Sequence, residues 1–263
     1  MKRFVAVLGS LYWVCLYGCA PSPEFSAGTI IDLSYPFDDQ TIFWPTEKGF
    51  VFEKDFEGFT EKGYYYTANK FCTAEHGGTH IDAPIHFYKD RNTVDAIPLD
   101  QLIGAGVLVD VSAKCLADDD YQIQVSDFLE WETQQGKLPD NVIVLLRTGF
   151  GKHWPDREKY MGTSERGPEA VAKLHFPGLH PDAAAWLLSE RSIKAIGIDT
   201  PSIDHGQSNL FESHVTLFEA NVPAFENVAN LDLLPEKGFT IVALPMKIRG
   251  GSGGPLRIVA IVR

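Results

Sequence analysis

The sequence predicts a mixed α/β fold in a single domain. Two observations carry that prediction. Short runs rich in Val and Ile recur between turn signals, and helical patterns with recognisable ends lie between them. Strands mixed with helices pack as layers around a shared core.

In chain order, residues 107–111, 142–146, 195–198 and 240–244 read as buried strands, and 258–262 closes the chain in the same way. Each is a short continuous apolar run, the signature of a strand covered on both faces. Ser126 is placed as the N-cap of a helix over 127–135 that Gly136 ends. Pro181 suits the first turn of a helix through Ala184, Trp186, Leu187 and Leu188, with Arg191 near its C-terminal end. The charged stretch 151–167, which holds Trp154, Tyr160 and Met161, reads as a long surface loop or a lid.

A chain of 263 residues can bury a sizeable core. Its 44% hydrophobic and 22% charged content is that of an ordinary globular protein. The formal charge of -12 comes with no basic stripe, which excludes nucleic acid as a partner.

The N-terminus reads as a targeting segment. Lys2 and Arg3 precede an apolar stretch over 4–17, short for a bilayer span and right for a signal peptide. Leu16-Tyr17-Gly18-Cys19 resembles a lipobox, with an atypical Tyr17. The expected organisation is a signal peptide over 1–18, lipidation of Cys19, a tether over 19–28 and a folded domain over 29–263. The expected location is the bacterial periplasm, on the membrane through the N-terminal lipid. An uncleaved anchor is the alternative. Removing 1–18 takes away two positive charges and no negative ones, leaving about -14. Cys72 and Cys115 remain, and could pair in an oxidising compartment. Cys72, four residues before His76, is expected to be a small buried residue rather than a ligand.

The most informative segment is His76–His86, HGGTHIDAPIH, which packs His76, His80, Asp82 and His86 into eleven residues. Imidazole and carboxylate bind borderline divalent cations such as Zn²⁺ and Mn²⁺. Gly77 and Gly78 argue against a helix between His76 and His80. His80 and Asp82, two apart, point to one side of an extended strand, while Ile81 faces a core. Pro84 then ends the strand, and His86 returns toward the site. A lone histidine is usually a surface or core residue; four such groups at this density are not explained that way.

This segment resembles the H-x-G-T-H-x-D-x-P-x-H signature of the metal-dependent cyclase family, which includes bacterial kynurenine formamidases and isatin hydrolases. Other pieces are similar to the family's blocks: Ile31-Asp32-Leu33-Ser34 with Trp44-Pro45, Phe176-Pro177-Gly178-Leu179, the run 197–204, and Gly253-Gly254-Pro255-Leu256-Arg257. The resemblance covers nearly all of the chain after Thr29. It implies a swivelling β/β/α fold and a homo-oligomer, a dimer or a tetramer. It also implies a distal pair, His214 and Glu226, twelve residues apart. On that match His76, His80 and Asp82 bind one metal, and Asp82 and Glu226 bridge to a second that His214 completes. His205 is the rival of His214. His153, His175 and His180 read as surface, loop and helix-capping residues.

The resemblance implies a hydrolase cleaving the C–N bond of a small, aromatic formamide or cyclic amide with Zn or Mn, one or two ions per chain. Metal-bound hydroxide attacks the carbonyl. His86 shuttles the proton to the leaving nitrogen. Trp44 matches the family's substrate-packing tryptophan, and a plain core role is its alternative. Glu226-Asn227-Val228 departs from the Gly-Leu usual after this glutamate in kynurenine formamidases, which leans toward the isatin-hydrolase side. Two other readings stay open: a metal- or ligand-binding lipoprotein without catalysis, and a lactone hydrolase or a dehydratase acting on a hydroxy acid.

Overall fold

The computed structural model describes residues 28–263, so the expected signal peptide, Cys19 and nearly all of the tether lie outside the described residues. In chain order the strands are β1 (Thr29–Asp32), β2 (Val51–Phe59), β3 (Tyr65–Cys72), β4 (His80–Asp82), β5 (Ile103–Asp110), β6 (Gln122–Ile123), β7 (Ile143–Arg147), β8 (Gly178–Leu179), β9 (Ala195–Ile198), β10 (Ala224–Glu226), β11 (Lys237–Pro245) and β12 (Gly253–Val262). The helices are α1 (Leu99–Leu102), α2 (Ser112–Cys115), α3 (Val125–Gln135), α4 (Arg157–Met161), α5 (Pro181–Arg191) and α6 (Glu212–Glu219).

The main sheet runs β1-β12-β11-β5-β7-β9-β10-β4, and β4 pairs back onto β12. The sheet therefore closes on itself. Strands β5, β7, β9 and β10 are parallel, whereas β4, β11 and β12 join them antiparallel. Parallel strands are covered on both faces, which is why their sequences are unbroken apolar runs. Leu108, Ile143, Leu145, Ala195 and Phe225 point inward, onto Phe239, Ile241, Ala243, Leu256 and Ile258. Val107, Val109, Val144, Leu146, Ile196 and Ile198 point outward, beneath Phe128 and Trp131 of α3, Ala183, Ala184 and Leu187 of α5, and Leu217 and Phe218 of α6. Full burial of each large apolar side chain stabilises by roughly 1.5–3 kcal/mol. The interior is tight: a Cβ on Gly106 would collide with the Phe239 ring. The mixed α/β single domain with flanking helices is as expected, and the expected strand 195–198 coincides with β9.

Three expectations need correction. The N-cap of α3 is Gln124, not Ser126, because Asp127 reaches back to accept the Gln124 backbone N–H at 2.6 Å in a capping box. The stretch 151–167 is not a loose loop: Tyr160 and Met161 of α4 are fully buried, and Trp154 stacks on Tyr35 at 4.1 Å. Cys72 is exposed, and both Cys72 and Cys115 are free thiols. By contrast, His180 does cap α5, accepting the Asp182 N–H at 3.1 Å, with Pro181 in the first turn.

Strands β2 and β3 form a separate two-stranded arm. Site placement follows from the edge where β4 meets β10. There Glu226 lies opposite His80, and Ala224 opposite Asp82. Ile81 and Phe225 face the interior. The alternation of a strand then sends His80, Asp82 and Glu226 to the other side, toward α6.

Candidate metal centre

A tight turn brings His76 to this edge. Gly78 sits at φ +57°, and a Cβ there would stand 2.7 Å from the Phe37 ring, so glycine is required. The turn is pinned by Gly78 N–H to Ile42 O at 2.9 Å and by the Thr79 hydroxyl to Asn227 O at 2.8 Å.

The donor atoms converge in a buried cluster. His76 Nδ1 lies 2.7 Å and His80 Nε2 3.0 Å from Asp82 Oδ1. His214 Nε2 lies 3.2 Å from Asp82 Oδ2 and 3.1 Å from Glu226 Oε1. His80 Nε2 lies 3.4 Å from Glu226 Oε2. Two ligand sets result: His76, His80 and Asp82, and Asp82, His214 and Glu226. Asp82 belongs to both, so the sequence-expected residues are brought together.

The donor set fits a divalent ion. Ligands held at ~2.0–2.2 Å from a common Zn²⁺ stand roughly 3–3.5 Å from one another, which is the spacing seen here. The far ring nitrogens are already engaged. His80 Nδ1 meets Gly78 O at 3.0 Å, and His214 Nδ1 meets Asp204 Oδ2 at 2.6 Å. Each partner takes a ring N–H and so turns the Nε2 lone pair toward the carboxylates, the tautomer a metal ligand needs.

The electrostatics also call for positive charge. Burial alone would raise the Asp82 carboxyl, but His76, His214 and His80 outweigh it and hold it well below the usual carboxylate range. Burial and then the Asp82 charge raise the Glu226 carboxyl, which His214 and His80 only partly offset. Burial works against charge on His214 and His80, yet Asp204, Asp82 and Glu226 drive His214 well above its ordinary value, and Asp82 and Glu226 raise His80. Protons on these rings supply the positive charge that an ion would displace.

His86 is placed differently. Its ring stacks on His76 at 3.8 Å, and its Nε2 is 3.9 Å from Asp82 Oδ2, beyond hydrogen-bond range. Burial pushes its imidazole down to about 4, with His76, His214 and His80 adding to the effect against Asp82. That is below the near-neutral range expected from sequence. His86 is therefore held toward the neutral imidazole at pH 7.

Above the cluster opens a cavity of about 430 Å³. Phe43, Trp44, Phe87 and Phe211 give it aromatic walls. Trp44 is half-buried and meets Phe176 and Phe211 with ring centroids 6.4 Å away. It serves the core and the cavity at once. His205 does not line the cavity and joins neither ligand set, whereas His214 does both.

Sequence reasoning missed Asp204, Ser252 and Glu75. Asp204 orients His214. Ser252 Oγ lies 2.9 Å from His76 Nε2 and donates to Glu75 Oε2 at 2.6 Å. Asp204 falls inside the run 197–204, and Ser252 in the glycine-rich run before Pro255, so each had a motif but no visible partner.

The Cyclase family model matches residues 31–205. An isatin hydrolase of Roseibium aggregatum is 32% identical over 213 residues, 78% of each chain. A kynurenine formamidase of Bacillus cereus is 29% identical over 229 residues, 87% of this chain and 95% of its own. Isatin hydrolase A from Ralstonia solanacearum superposes with a TM-score of 0.80 at 30% identity, covering 89% of this chain and 92% of its own. With the family model spanning most of the chain and the fold shared over nearly its whole length, this chain belongs to the cyclase family.

Proposed function

We propose that this chain is a metal-dependent amide hydrolase that cleaves the C–N bond of a small aromatic formamide or cyclic amide. One observation carries the reading: an aromatic-walled cavity ends on a buried His/carboxylate cluster with a neutral His86 at its edge. His76, His80, Asp82, His214 and Glu226 hold one or two ions, Zn or Mn, because their imidazole and carboxylate donors suit either. A bound ion supplies Lewis acidity and an activated water at neutral pH.

The side chains do the rest. Trp44 and Phe211, tilted 59° to one another, wall the cavity on the side where a substrate's aromatic ring packs, with its carbonyl over the floor. His86 Nε2 accepts a proton from the attacking water and returns it to the departing nitrogen. Oxygen adds to the carbonyl carbon, the C–N bond breaks, and the amine leaves protonated. The cavity lining contains Glu47 and Glu75 but no Lys or Arg. A substrate bearing a free carboxylate finds no cationic partner there, which favours a neutral cyclic amide such as isatin over N-formylkynurenine.

The test is turnover of isatin, N-formylkynurenine and a lactone panel by protein purified without chelator, beside its elemental analysis. Near-stoichiometric Zn or Mn with amide turnover supports the reading. No metal and no activity on adding either ion would refute it, and activity confined to lactones would move the chemistry to esters.

We also propose that residues 1–18 are a signal peptide and that Cys19 is lipidated, which would hold the protein on the membrane in the bacterial periplasm. Mass spectrometry of the chain recovered from membranes tests this, and a mature protein starting elsewhere would overturn it. A homo-oligomer, dimer or tetramer, is the expected assembly.

A further inference from the structure

Two arginines of this chain follow a rule that a third breaks. Arg191 lays its Nε and Nη2 on Glu132 at 2.6 and 2.9 Å, and Arg257 lays the same edge on Asp32 at 3.0 and 2.7 Å. That edge carries two parallel N–H groups and matches two oxygens of a carboxylate or a phosphate. Arg157 is held by its other nitrogen, Nη1, which donates to the Phe43 carbonyl at 2.8 Å. Its Nε and Nη2 are buried and meet no acceptor among the described residues. Buried polar groups are nearly always paired, and a buried charge left unpaired is costly.

The surroundings add positive charge rather than remove it. Burial and then the Arg166 charge push the Arg157 guanidinium down to about 10, and no carboxylate offsets them. Arg157 still carries its charge at neutral pH. Residues 39–42 and 155–157, with Arg166, line a cavity of about 520 Å³. Two acids, Asp39 and Asp156, belong to the same lining. Asp156 is taken, because it caps α4 and pairs with Lys159 Nζ at 2.7 Å. Asp39 is exposed and is the rival partner for Arg157.

We propose that Arg157 and Arg166 form a binding site for a small oxyanion, a carboxylate or a phosphate, seated on the Nε/Nη2 edge of Arg157 and paired with Arg166. Two guanidinium charges held beside one another repel, and an anion shared by both relieves that repulsion. The location gives the site a consequence. Ile42 lines both this cavity and the aromatic-walled one above the metal cluster. The segment 157–167 fastens the wall between them from behind. Arg157 donates to Phe43 O, Arg166 Nη1 to Glu47 O at 3.2 Å, and the Gly167 N–H to Pro45 O at 2.9 Å. On their other side Phe43, Trp44 and Glu47 line the aromatic-walled cavity. An ion that fixes both guanidinium groups therefore stiffens the strip that carries Trp44. None of these residues belongs to either ligand set, so the site does not rest on the proposed amide chemistry.

The experiment is isothermal titration calorimetry of the metal-loaded full chain with inorganic phosphate and, separately, with formate. Wild type is compared with Arg157→Lys, Arg166→Ala and Asp39→Asn, and circular dichroism monitors folding. Arg157→Lys keeps a charge but loses the two parallel donors, so affinity should fall roughly 30-fold or more. Arg166→Ala removes an exposed charge and should weaken binding about two- to fivefold. Asp39→Asn removes a competing carboxylate and should tighten binding. Arg166 and Asp39 are exposed, so their variants test the site even where Arg157→Lys does not fold. Phosphate bound more tightly than formate assigns the site to phosphates, and the reverse assigns it to carboxylates; both support it. Binding of equal strength in wild type and in every folded variant would put the anion on the metal centre and overturn the proposal. So would the lack of any heat from either ion at millimolar concentrations. A lower Tm for Asp39→Asn with unchanged anion binding would make Asp39 the partner of Arg157 and likewise overturn it.

Discussion

The cavity floor and the β2–β3 arm are joined by residues 73–79 and built by opposite rules. On the floor, His80, Asp82, His214 and Glu226 are only 2–4% exposed, although all four are ionisable. On the arm, seven aromatic side chains stand in water. Scattered exposed apolar groups are ordinary, whereas a buried polar cluster or a contiguous exposed apolar patch carries information. The floor buries charge because ring protons or an ion compensate it within a rigid closed sheet. The arm leaves its aromatics exposed among the described residues. The two regions therefore predict different responses to substitution.

The largest effect belongs to Asp82, the residue shared by both ligand sets. Asp82→Ala should lose metal and activity together, with turnover below ~10⁻⁴ of wild type, more than removal of an acid–base group costs. Elemental analysis and kcat on the substrate found by screening check this. A variant that kept stoichiometric metal would break the assignment of Asp82 as the common ligand. His86→Ala should behave differently. It touches no ligand oxygen closer than 3.9 Å, so metal content should hold while kcat falls by ~10²–10⁴. Metal lost from His86→Ala but retained in Asp82→Ala would reverse the two roles.

Asp204 sharpens the picture from one layer further out. Its carboxylate takes the His214 Nδ1–H at 2.6 Å and also accepts the Ser213 and His214 backbone N–H groups. Asp204→Asn offers an amide where a ring N–H needs an acceptor, and the tautomer of His214 is no longer fixed. Metal affinity should fall ~10–100-fold, measured by competition with a chromogenic chelator. Unchanged affinity would mean that the His214 tautomer is set elsewhere.

What the sequence makes legible follows from distance along the chain. His76, His80, Asp82 and His86 lie within eleven residues, so their strand, turn and shared side can be reasoned locally. His214 and Glu226 are over 130 residues away, and only the family resemblance singled them out. Asp204 and Ser252 act through pairs whose partners are ten and 176 residues distant, and neither leaves a periodic trace. The buried parallel strands are legible because both faces are apolar. Their closure through β4 and β12 is not, since it depends on a pairing some 170 residues apart. The arm gives no strand signature: Glu53-Lys54-Asp55 interrupts the apolar alternation, and the bulge beside Asp55 shifts its phase. That same gap explains why Cys72, at the end of β3, is exposed rather than buried.

The smallest expected effect lies on the arm, and it is the control for the floor. Lys54 Nζ contacts Glu57 Oε2 at 3.1 Å, with side chains 72% and 51% exposed. The hydrogen bond from Lys54, its charge and the Tyr65 hydroxyl hold the Glu57 carboxyl below its ordinary value. A carboxyl lowered in the folded state contributes stability above its unfolded pKa and loses it as pH falls through the folded one. Solvent screens this pair, however, and exposed pairs of this kind contribute little. Lys54→Ala should therefore leave Tm and the acid side of the stability curve superimposable on wild type, followed by circular dichroism from neutral to acidic pH. On the floor, carboxylate–imidazole contacts of similar length are buried. If Lys54→Ala instead lowered Tm clearly above pH 5 and not below pH 3, the pair would be shielded from water and the contrast with the floor would fail.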